Sequence, residues 1–89
     1  MTTMKKHYIG EVKEQNGEFE YETKFLFITE GCPTEYVDRV TKTWRGDEDN
    51  EYDEDAGGYW SDDCIMSAGK YKKIPIKDFN ILKKYLVVL

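Results

Sequence analysis

The residues best suited to chemistry in this chain are carboxylates, and they are bunched. From Asp47 to Asp63 there are nine, Asp47, Glu48, Asp49, Glu51, Asp53, Glu54, Asp55, Asp62 and Asp63, with no Lys, Arg or His between them. That is half of the 18 acidic residues in an 89-residue chain. Carboxylates at this density either repel one another into a solvated loop or meet a positive partner. The partner can be a metal ion, a basic protein surface or the chain's own lysines.

Calcium is the first candidate. Asp53-Glu54-Asp55-Ala56-Gly57-Gly58 puts acids at positions 1 and 3 of a helix–loop–helix calcium loop and glycine at position 6. The pattern then breaks, because position 5 is Gly57 and position 12 is Cys64, where a bidentate Glu belongs. No metal ligand set and no cofactor is therefore assigned. A looser, metal-responsive module, ordered when several carboxylates share a divalent cation, stands as an alternative reading.

A basic protein surface fits the pattern better. Carboxylates spaced along a loop and strand edge imitate the phosphates of a nucleic acid, whose recognition is largely electrostatic. Tyr52, Tyr59 and Trp60 interleave the acids and can act as apolar anchors. In size, charge and aromatic interleaving the chain resembles small acidic proteins of phages and mobile elements that block host defence nucleases, anti-CRISPR proteins among them. That resemblance implies a non-enzymatic, nucleic-acid-mimicking inhibitor whose partner is a nucleic-acid-binding enzyme. The nine carboxylates would supply the charge and the three rings the anchors. A further alternative is a small structural or homo-oligomeric domain whose acidic loop is only solvated, neutralised by the six lysines that follow it.

Enzymatic readings have little support. His7 is the only histidine and falls on a predicted solvent face. Cys64 follows Asp62 and Asp63, whose charge opposes thiolate formation. Cys32, before Pro33, is read as a buried thiol near a helix start. No Gly-rich phosphate loop and no metal-ligand spacing is present, so no catalytic residue is assigned. Direct nucleic-acid binding through Lys70-Tyr71-Lys72-Lys73, Lys77, Lys83 and Lys84 is also disfavoured. The acidic stretch would repel a polyanion, and paired stacking aromatics are missing.

Charge is segregated along the chain. Residues 1–46 hold seven bases and eight acids (−1), the acidic stretch −9, and residues 64–89 six lysines against Asp78 (+5), giving −5 in all. Apolar content is 39%, but aromatic content of 15% can build a compact core from few positions. One domain, 1–89, is expected, with an acidic loop at 47–58 within it. Neither a signal peptide nor a membrane-spanning run is read from the sequence, which points to a cytoplasmic protein. Two cysteines without ligand spacing suggest reduced thiols.

The elements that must position these residues begin with a hairpin. Asn16-Gly17 signals a two-residue turn, which would pair Val12 with Tyr21, Gly10 with Thr23 and Tyr8 with Phe25. Tyr8, Val12, Phe19, Tyr21, Phe25 and Phe27 then share one, buried face. His7, Glu11, Lys13, Glu20, Glu22 and Lys24 share the other, and Lys13 sits opposite Glu20. Ile9 and Leu26 on that otherwise polar face leave room for self-association. A helix follows from Pro33, with Glu35 in its first turn, an apolar stripe of Tyr36, Val37, Val40 and Trp44, and Gly46 at its end. Gly57-Gly58 marks a turn, Tyr59-Trp60 opens a third strand, and Cys64–Ile74 is a strand interrupted at Ala68-Gly69. Pro75 precedes a second helix carrying Phe79, Leu82, Leu86 and Leu89, with Val87-Val88-Leu89 alternatively a short strand. The expected fold is a two-layer α+β sandwich, ββαββα or ββαβα, with an antiparallel sheet and two helices on one face.

Overall fold

The structure, a computed structural model, describes residues 5–46, 50–61 and 63–89. Strands β1 (Lys6–Asn16) and β2 (Phe19–Thr29) are followed by helix α1 (Pro33–Lys42). Then come β3 (Tyr52–Asp53), β4 (Gly58–Ser61), β5 (Cys64–Lys73) and helix α2 (Ile76–Leu82). The strands form one antiparallel sheet in the order β2-β1-β5-β4-β3. The fold is thus the expected α+β class, in the order ββαβββα, with one strand more than ββαββα and two more than ββαβα, because Tyr52–Asp53 of the acidic stretch form β3, and β4 and β5 are separate strands.

The β1–β2 hairpin forms, with a register displaced by two residues. Gly17-Glu18, not Asn16-Gly17, occupies the turn, with Gly17 at φ +61°, and Asn16 pairs with Phe19. Val12 therefore faces Thr23, Gly10 faces Phe25, Tyr8 faces Phe27, and Lys13 faces Glu22 rather than Glu20. A two-residue displacement keeps every side chain on its expected face. The reason for the observed register lies at Gly10. A β-carbon there would come within 3.0 Å of Phe27 Cε1 and 3.1 Å of Phe25 Cζ, so the missing side chain makes room for both rings.

Tyr8, Val12, Phe25, Phe27 and Val37 form the core, flanked by Tyr36, Val40 and Trp44 of the α1 side. The Phe27 ring is stacked between Tyr8, at 5.0 Å, and Tyr36, at 4.7 Å. Phe19 and Tyr21 point to the same face but are 66% and 56% exposed, because the hairpin outruns the ten-residue helix. They stack on each other at 6.5 Å instead. Pro33 and Glu35 take their expected places in the first turn of α1. The Gly46 N–H closes the turn after it on Thr43 O at 2.9 Å. Cys32, at the N-cap, is exposed rather than buried, and its side chain makes no capping bond. Cys64 is buried, and both thiols are free.

The two helices do not share a face. α1 covers the Tyr8–Phe27 side, whereas Phe79 of α2 meets the His7 ring edge-on at 4.8 Å. His7 alternates with Tyr8 and so belongs to the opposite side. Leu26, on that opposite side, is fully buried. After α2 the chain runs to the β2 edge, where the Leu26 N–H bonds Val87 O and the Leu89 N–H bonds Leu26 O, both at 2.8 Å. This single parallel bridge, Leu26 to Val88, is the short final strand in reduced form. The Tyr36 hydroxyl donates to the Leu89 main-chain oxygen at 2.7 Å, tying α1 to the same segment.

Candidate functional site

Residues 52–61 of the acidic stretch form the far edge of the sheet as the β3–β4 hairpin. Two glycines allow it. Gly57 adopts φ +74°, which a left-handed turn position requires, and Gly58 lies so close to the Met66 carbonyl that no β-carbon fits. Asp53 organises the turn. Its main-chain oxygen accepts the Gly57 N–H at 2.8 Å, and its Oδ1 accepts the N–H groups of Asp55 and Ala56 at 3.0 and 3.2 Å. Its Oδ2 accepts the Trp60 indole N–H at 2.9 Å. The Trp60 bond, followed by the main-chain donors, holds the Asp53 carboxyl below its usual range, so it stays ionised.

Alternation along the strands sorts the three aromatic candidates. Tyr52 and Tyr59 are cross-strand partners facing the α1 side, with rings edge-on at 5.2 Å. Tyr59 is only 8% exposed, and its hydroxyl donates to both carboxylate oxygens of Asp38 on α1 at 2.9 Å. Burial and then the Asp38 bond push its phenol up to about 12. Its place is thus in the joint between hairpin and helix. Tyr52 and Trp60 are 54% and 46% exposed, on opposite faces of the ribbon.

Of the acidic candidates, Glu51, Glu54, Asp55 and Asp63 are exposed and Asp53 half-buried. Asp47, Glu48, Asp49 and Asp62 lie outside the described residues. A shallow groove at the β3 edge brings Glu51, Tyr52, Asp53, Glu54 and Trp60 together beside Asn50. Asn50, itself buried, donates its side-chain amide to Lys42 O at 2.9 Å, using one of the free carbonyls at the end of α1. Among the described residues, the ion pairs join Lys13 to Glu22 at 3.9 Å and Arg45 to Glu14 at 3.1 Å. No described lysine or arginine pairs with a carboxylate of the hairpin. The lysines of β5 cannot reach it, since β4 pairs with the Cys64–Met66 end of that strand. Among the described residues no three His, Cys, Asp or Glu side chains converge on a metal-sized site.

Three positioning carboxylates were missed in the sequence. Asp38 anchors Tyr59. Glu11 accepts the Lys70 N–H at 3.1 Å. Glu14 accepts the Trp44 indole N–H at 2.7 Å and Arg45 Nη2 at 3.1 Å, fastening the end of α1 to β1. Glu14 had a readable signal: by alternation it shares the face of Val12, where a carboxylate needs a donor. Asp38, on a helix surface, had none.

No protein-family model matches the chain, and no curated protein or solved structure gives a significant match. Among the described residues, no helix is long and apolar enough to cross a membrane.

Proposed function

We propose that this chain is a non-enzymatic binding protein whose acidic β3–β4 hairpin engages a basic site on another protein. The observation that carries the reading is the exposed edge itself. Glu51, Glu54 and Asp55 stand beside the half-exposed Tyr52 and Trp60, and no described base neutralises them. Asp53 adds a carboxylate kept ionised by its own donors. A β-hairpin anchored through Tyr59 to α1 presents these charges at less entropic cost than a free loop would. Aromatic side chains among the charges supply apolar area that a purely electrostatic contact lacks.

In its sharpest form the partner is a nucleic-acid-binding enzyme, such as a nuclease of host defence against phages or mobile elements, and the hairpin competes with the polyanion. A tagged pull-down from the native host, read by mass spectrometry, tests this. The control carries Asn or Gln in place of Asp47, Glu48, Asp49, Glu51, Glu54, Asp55, Asp62 and Asp63, leaving the structural Asp53 intact. The reading predicts a captured nucleic-acid-binding protein, lost with the control and displaced by salt or by DNA or RNA. Capture unchanged by the control would overturn it.

A further inference from the structure

Among the described residues, no helix covers the sheet face opposite α1 over the stretch between α2 and the β1–β2 turn, and its charge is polarised along the strands. At one end Lys24, Lys70 and Lys72 rim a groove floored by Ile9 and Gly10. At the other, Glu20 and Glu22 of β2 flank Gln15 and Lys13 of β1, and Ala56, at the tip of the acidic hairpin, lines the same shallow grooves as Gln15 and Ile65. Each end also holds one opposite charge: Glu11, bonded to the Lys70 main chain, and Lys13, paired with Glu22. Lys24, Lys70 and Lys72 less Glu11 leave +2 at one end, and Glu20 and Glu22 less Lys13 leave −1 at the other. Ile9, Ile65 and the half-exposed Trp60 provide apolar area on the same face.

We propose that this face docks on the same face of a second copy of the chain about a two-fold axis, the lysine end of each copy over the acidic end of the other. Charge complementarity argues for that occupant. Acids and bases lie at opposite ends of one face, so a two-fold rotation brings each over its complement twice, in a closed contact. Sheets pack face to face at about 10 Å, within reach of lysine and glutamate side chains from both sides. From Ile9 to Gln15 the face runs roughly 20 Å along β1, at about 3.3 Å per residue. Each copy therefore contributes a few hundred Å², below the roughly 800 Å² per partner of a standard specific interface and in the range of weak, transient contacts. The dimer is accordingly weak, concentration-dependent and salt-sensitive. Of the proposed binding edge it shares Trp60 and needs neither Glu51, Tyr52 nor Glu54, so the proposed function can fail without it and the reverse.

Sedimentation equilibrium of the full chain over a wide concentration range, at low and high salt, tests the pairing. The expected result is a mass rising from 10.5 kDa towards twice that value, and falling back with salt. K24E/K70E/K72E and E20K/E22K should each remain monomeric while keeping the native circular dichroism. Mixed in equal amounts they should restore a heterodimer, because each supplies what the other lost. Should a charge-reversed variant not fold, K24Q/K70Q/K72Q replaces it and must weaken the wild-type dimer at least tenfold. A monomer at every concentration, or variants that dimerise alone or fail to pair when mixed, would overturn the proposal.

Discussion

The Glu11 side chain occupies the space that a β-carbon on Gly69 would need, and its carboxylate accepts the N–H of the next residue, Lys70, at 3.1 Å. This is where β5 carries one residue more than β1: Gly10 pairs with Tyr71, but Val12 pairs with Ala68. A bulge leaves an N–H without a ladder partner. Here a side chain from the neighbouring strand supplies the acceptor, and a glycine makes room for it.

Replacing that glycine tests the relationship directly. G69A should destabilise by about 1–3 kcal/mol, because the added carbon displaces Glu11 and the bulge loses its acceptor. E11A alone should cost less, since Lys70 is exposed and water can replace the carboxylate. The double variant E11A/G69A should be more stable than the sum of the single effects implies. Urea unfolding of all four proteins measures the coupling, and strict additivity would contradict it.

At the other joint of the sheet, Glu14 receives the indole N–H of Trp44 and the guanidinium of Arg45. E14A should cost about 1–3 kcal/mol, because a half-buried indole donor loses its partner. E14Q, which keeps an oxygen for the indole, should be distinctly milder. Trp44 also packs on Phe25 at 6.1 Å. Its fluorescence in a W60F background should therefore shift to longer wavelength in E14A and little in E14Q.

Tyr59 makes an alkaline prediction. Its phenol is raised from about 10 in an unfolded chain to about 12 in the fold, first by burial and then by the bond to Asp38. Below the unfolded value both states hold the proton, and the stabilisation is complete. Between about 10 and 12 the unfolded state binds fewer protons, so stability falls as pH rises through this window. Phenolate absorbance should show one late-titrating tyrosine that disappears in Y59F. The same substitution should flatten the alkaline loss of stability.

Asp53 makes the acid-side counterpart. Its carboxyl is depressed by the Trp60 indole and by main-chain donors, so its contribution is present above the unfolded value and lost as pH falls through the folded one. The Trp60 indole proton resonance should titrate with a midpoint below 3.8, the ordinary value of that carboxyl. D53N cannot rescue the turn. One carboxylate oxygen becomes a donor, so the Trp60 N–H or the Asp55 and Ala56 N–H groups lose an acceptor. Faster amide exchange at Asp55 and Ala56 in D53N is the expected readout.

Much of this architecture is local enough to be written in the sequence. Alternation named the faces of β1 and β2, Pro33 and the Tyr36–Trp44 stripe placed α1, although Trp44 lies beyond its end at Lys42, and Ala68-Gly69 marked an interruption of β5 that is a bulge in the structure. Each of these signals acts over a few residues, through φ preference, missing donors or period. Even the misplaced turn left every side chain on its proper side, because a displacement by two preserves alternation. The concentration of acid between Asp47 and Asp63 was equally plain, since charge needs no fold to be counted.

What tertiary structure alone decided is where long-range partners meet. Gly10 selects the hairpin register only because Phe25, Phe27 and Val37 converge on it. Side-chain period says that Phe79 is buried, but not on which side of the sheet. Its contact with His7 puts α2 opposite α1, and among the described residues no helix covers the rest of that face. Tyr59 and Trp60 are adjacent and look alike in the chain, yet pleating sends one to Asp38 and the core and the other to Asp53 and the surface. Composition can assemble a charged and aromatic segment, whereas only the paired strands determine which of its side chains another molecule can touch.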